Sequence, residues 1–77
     1  MLSAYILMET AVGTSNKIVD TLRAVHEVRL VSRVTGPYDV IARVETIDLE
    51  ALGGLLQDVV RPLPGVERTV TCVVASH

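Results

Sequence analysis

The sequence predicts an α+β fold of four strands and two helices in the order βαββαβ, closed as one antiparallel sheet with both helices on one face. Three observations carry this. Apolar residues fall in short blocks whose spacing switches between strand and helix periods. Gly- and Pro-containing turns separate the blocks. The apolar mass is branched aliphatic, with fourteen valines and neither Phe nor Trp, which suits sheet better than a helical bundle.

Ala4 to Met8 reads as the first strand, apolar on both faces. Gly13 to Asn16 breaks the pattern, and Thr14 or Ser15 is placed to cap a helix. From Ser15 to about Val25, Ile18, Val19, Leu22 and Val25 share a helix face. Glu27 to Val34 alternates as a second strand. Thr35-Gly36-Pro37-Tyr38-Asp39 is a turn, with φ fixed at Pro37 and a backbone angle open to glycine at Gly36. Val40 to Glu45 is a third strand.

Asp48 is the expected cap of a second helix, whose buried face reads Leu49, Leu52, Leu55 or Leu56, and Val59. Gly53 and Gly54 fall inside it, and close approach of helix to sheet is the expected reason. Arg61 to Gly65 ends the helix, and Val66 to Ala75 is the last strand. Right-handed crossovers put strands one and three in the centre and two and four at the edges.

Seventy-seven residues make one domain, residues 1–77. A chain this short buries a modest core, and association is the remaining route to stability. Cys72 is the only cysteine, so no disulfide forms within the chain, and it reads as a small core residue. His26 and His77 make no metal set; a surface or helix-end position suits His26, and His77 is terminal. The net charge of −2 argues against a nucleic-acid surface. Met1 to Tyr5 has no signal-peptide character. No apolar run approaches a membrane span. A cytoplasmic protein is the expectation.

The sheet face away from the helices should alternate polar with apolar if it met water. It does not do so cleanly. A patch of Leu7, Ile41 and Val73 is expected there, which predicts two-fold pairing of sheet on sheet.

The turn Gly36-Pro37-Tyr38-Asp39-Val40 and the stretch Pro64-Gly65-Val66 with Arg68-Thr69-Val70-Thr71, in βαββαβ order, resemble the effector-binding (RAM) domain of the Lrp/AsnC regulators along essentially the whole chain. The resemblance implies a ferredoxin-like fold of the dimeric α/β-barrel type, dimers joined through their sheets, rings of such dimers, and an amino-acid effector held between dimers. It implies a stand-alone form, because the helix-turn-helix of the longer regulators has no counterpart before the first strand. Output would then come through full-length relatives by mixed assembly or through another partner, without direct contact to nucleic acid or membrane.

Carried over by motif, Gly36, Tyr38 and Asp39 would line the effector site, with Thr69 and Thr71 facing it from the last strand, both on the sheet face expected to form the interface. Asp39 would pair the ligand ammonium. Backbone N–H groups near Gly36 and a threonine hydroxyl would receive its carboxylate. Each residue has a plainer reading too: Asp39 as the fastener of its own turn, Tyr38 as an interface residue, the threonines as strand formers. Arg68 reads as a solvated or salt-bridged edge residue. No catalytic residue, cofactor or metal is expected, since no paired carboxylates, Ser-His-Asp set or metal cluster is present. Related folds host monooxygenase and isomerase chemistry, so an enzyme of that barrel type is the alternative. An ACT-type amino-acid sensor, pairing side by side, is another. An RNA-binding module lacks the stacking aromatics it would need.

Overall fold

The computed structural model describes residues 1–76. It contains β1 (Leu2–Thr10), α1 (Ser15–Arg23), β2 (Val28–Arg33), β3 (Val40–Thr46), α2 (Leu49–Leu55) continued by a π-helical turn (Leu56–Val60), and β4 (Val66–Val73). The sheet order is β2-β3-β1-β4, with every neighbouring pair antiparallel. β1 and β3 are therefore central, as the crossover rule requires.

The core is where sequence alternation and register agree. Ala4, Ile6 and Met8 of β1 lie opposite Val44, Ala42 and Val40 of β3. All six are buried, and Ile18, Val19 and Leu22 of α1 and Leu52 and Leu55 of α2 cover them. β1 is longer than its apolar run: Glu9 and Thr10 continue the pairing with β4 through a bulge. Polar side chains hide such an extension from a periodicity argument.

A second bulge decides the edge. Between Val28 and Leu30 the β2 register slips by one residue, so Val28 and Val31 both face the core while Leu30 is left 62% exposed. One extra residue in a strand reverses its parity downstream. Strict alternation would have put Val28 and Leu30 on the same side.

The helix caps divide. Asp48 accepts from the Ala51 N–H at 2.8 Å, as expected of an N-cap. Thr14 precedes α1, but its side chain makes no cap bond; the hydroxyl donates back to the Ala11 carbonyl at 2.7 Å. The expected face of the second helix is also corrected. Leu49 is exposed, whereas Val60 is 1% exposed. The π-turn is closed by the Arg61 N–H on the Leu56 carbonyl at 2.9 Å. Its wider turn rotates the last residues and brings Val60 onto the core beside Leu56 and Val59. Close packing does not explain the glycines: a Cβ on Gly53 or Gly54 would meet nothing within 4 Å.

Candidate functional site

β2 and β3 form a hairpin, and its mouth is the candidate site. Arg33 lies opposite Val40, and the Val34 N–H donates to the Asp39 carbonyl at 2.9 Å. Residues 35–38 are left as the loop. Gly36 has a φ of 134°, a region costly for side chains, so the expected glycine role at this turn holds. Gly36 is exposed and Tyr38 half-buried, and of the turn residues expected at the site only Asp39 borders the hollow beside it.

Asp39 does more than close its own loop. Its N–H donates to the Met8 carbonyl at 2.9 Å, and its Oδ2 accepts from the Thr10 N–H at 2.8 Å. The hairpin mouth is thereby tied to the end of β1, twenty-nine residues away along the chain. A carboxylate accepting from a backbone N–H is a charge-assisted bond of the stronger kind. The fastening role read from the turn is real, but its partner is β1.

Beside this anchor opens a cleft of about 530 Å³ lined by Ser15, Arg33, Val34, Thr35 and Asp39. The residues that border this open hollow include one acid, one arginine and two hydroxyl side chains. Arg33 is the residue sequence reasoning missed. It was legible only as one member of an alternating strand; its signal is the register, since residues flanking a short hairpin loop stand side by side.

The last-strand residues lie elsewhere. β4 pairs with β1 so that Thr69 faces Met8, Thr71 faces Ile6 and Val73 faces Ala4. Directly opposed residues of an antiparallel pair share a sheet face. Thr69, Thr71 and Val73 are thus on the helix side, which corrects their expected place on the open face. Thr69 lines a separate hollow of about 210 Å³ with Arg61, Val66, Glu67 and Arg68. Within one chain, then, it does not share the Asp39 cleft.

The open face is built from the other parity. Tyr5, Leu7 and Glu9 of β1 stand between Arg43 and Ile41 of β3 and Cys72, Val70 and Arg68 of β4. Cys72 is exposed there, not in the core. The apolar centre is Leu7, Ile41 and Val70, so Val70 takes the place expected of Val73. Ion pairs sit at its margins. Arg43 meets Glu45 at 2.8 Å, Arg29 reaches the same carboxylate at 3.6 Å, and Arg68 meets Glu9 at 3.4 Å. The last agrees with the edge role read for Arg68. His26 is exposed, and His77 lies outside the described residues. No helix among the described residues is long and apolar enough to cross a membrane.

Comparison with known proteins gives a consistent result. The profile of the family described as Lrp/AsnC ligand binding domain matches residues 3–77. The chain is 34% identical over 71 residues to the HTH-type transcriptional regulator FL11 of Pyrococcus abyssi, covering 92% of this chain and 46% of that protein. It therefore spans about half the length of that regulator. The crystal structure of FFRP-DM1 superposes with a TM-score of 0.93 at 35% identity, covering 96% of this chain and 99% of that one. A transcriptional regulator from Neisseria meningitidis, NMB0573, solved as a complex with L-Met, superposes with a TM-score of 0.86 at 19% identity, over 97% of this chain and 50% of that one. At that identity the likeness is one of fold.

Proposed function

This chain belongs to the Lrp/AsnC ligand binding domain family, and from that premise we propose that it binds a free amino acid in the cleft at the β2–β3 turn and works as an assembly of sheet-to-sheet dimers. The observation that carries the reading is the lining of that cleft, where Asp39 and Arg33 offer opposite charges to one small ligand.

An amino acid presents an ammonium and a carboxylate a few ångströms apart. One Asp39 oxygen is held by the Thr10 N–H, which fixes the carboxylate and leaves its other oxygen to receive the ammonium. Arg33 offers a planar fork of donors to the ligand carboxylate. Ser15 and Thr35 supply hydroxyls, and Val34 gives an apolar wall for a neutral side chain. The Neisseria regulator of the same fold is a complex with L-Met, which supports this ligand class. In this reading Thr69 and Thr71 reach the effector only from a neighbouring copy. Signal output passes by mixed assembly to longer regulators of the same family.

Sheet-to-sheet pairing is supported by the open face. Leu7, Ile41 and Val70 form a half-buried apolar strip between charged margins, and covering what remains of each is worth only part of the about 1.5–3 kcal/mol of full burial. The curated relative is named a transcriptional regulator, which favours a binding module over the barrel-type enzyme.

Isothermal titration of the protein against single L-amino acids tests the site. One amino acid should bind, and Asp39→Asn and Arg33→Gln should each weaken it about tenfold or more, near 1.4 kcal/mol. Failure of every amino acid to bind, or wild-type affinity in both variants, would overturn the assignment.

A further inference from the structure

β2 is an edge strand, and the groove between it and α1 is lined by basic side chains. One stretch, about 490 Å³, is bounded by Asn16, Val19, Asp20, Arg23, Ser32 and Arg33. A second, about 330 Å³, continues it past Arg23, Arg29 and Leu30. The groove thus gathers Arg23, Arg29 and Arg33 against Asp20, with Arg23 paired to Asp20 at 3.9 Å and Arg29 drawn to Glu45 at 3.6 Å. In a chain of net charge −2 this is a local reversal of sign.

The backbone of the edge is ready to pair. Because the Val34 N–H bonds the Asp39 carbonyl, the antiparallel alternation turns the N–H and C=O of Ser32 toward β3 and those of Val31 and Arg33 outward. Beyond the bulge the ladder from Leu30 to Arg33 is regular. The two sides of this edge differ in chemistry. Arg33 lies opposite the buried Val40 and shares the helix side with Arg23, whereas Leu30 is exposed on the open side.

We propose that the α1–β2 groove docks an extended acidic peptide of a partner protein, added to β2 as a fifth strand. Acidic residues of the peptide face Arg23 and Arg33; the alternate, apolar residues continue the open face beside Leu30. A strand bound this way takes its affinity from main-chain hydrogen bonds and its specificity from alternate side chains. Charged residues and a bulge also serve to keep edges from pairing. Here the bulge leaves four regular residues, and an excess of positive charge selects acidic strands instead of excluding all strands. At the other edge, β4, Arg68 is engaged by Glu9 at 3.4 Å, and Glu67 stands beside it in the strand. Arg33 also borders the Asp39 cleft, so the test is placed on Arg23, which lies outside it and whose loss leaves the effector reading untouched.

Fluorescence anisotropy with a labelled peptide alternating glutamate and valine tests it. The peptide should bind, and raised salt should weaken binding. Arg23→Glu should lower affinity about tenfold, while Arg61→Glu on the far side should leave it unchanged. Methylation of the backbone nitrogens that face β2 should abolish binding with no change to the protein. Any of four results would overturn the proposal: no binding by the peptide; equal binding by the methylated peptide or by its lysine counterpart; a single-stranded DNA oligomer that binds as well; or Arg23→Glu lowering the mass of the self-assembly in place of peptide affinity, which would assign the groove to another copy's acidic flank.

Discussion

Asp39 holds two roles in one carboxylate, and substitutions separate them. Asp39→Ala leaves the Thr10 N–H without its partner, so unfolding stability should fall by about 1–3 kcal/mol in urea titration. Asp39→Asn keeps an acceptor and should retain most of that stability while losing the charge an ammonium needs. The motif made Asp39 legible as a site residue. Its bond to Thr10 was not legible, because nothing local in the sequence joins positions so far apart. Cys72 fails for another reason: parity tells which residues share a face, but not which face is covered. Glycines 53 and 54 have open space around them, so alanine at either should stabilise the protein by about 0.5–1 kcal/mol, read as a higher melting midpoint.

Elements follow the sequence where one period governs them and depart where the register slips. α1 shows its face plainly, and Ile18, Val19 and Leu22 are all buried. The bulge in β2 and the π-turn after α2 each shift the pattern by one residue, and no composition signal marks either. Their consequence is measurable. Val60→Ala should cost about 2 kcal/mol through the two methyl groups removed from the core, whereas Leu49→Ala on the exposed turn should cost under about 0.5 kcal/mol. Thermal melts of the pair decide whether the π-turn sets the buried face. The turn into β4 makes a similar point. Gly65 has a φ of 96°, and a Cβ there would collide with the Thr14 side chain. Gly65→Ala should therefore destabilise far more than Gly36→Ala, whose Cβ meets open space.

At the scale of the whole molecule, both helices lie on one side of the sheet, and the other side presents Leu7, Ile41 and Val70 between charged margins. This half-buried apolar strip is the face that the proposed pairing would cover. Opposed on one face, Leu7 and Ile41 should each disrupt pairing when replaced by glutamate, with the fold kept because neither side chain belongs to the buried core. The topology and this uncovered face were legible from alternation and crossover rules. What escaped was the side of β4 that joins it, which depends on register with β1. The central claim is that an amino acid binds to an assembly of paired sheets, and native mass spectrometry with and without a panel of L-amino acids tests it most directly. The account predicts a dimer or a multiple of dimers that gains the mass of one amino acid per chain, lost in Asp39→Asn, and a shift toward monomer in Leu7→Glu. A monomer that takes up none of the amino acids would contradict it.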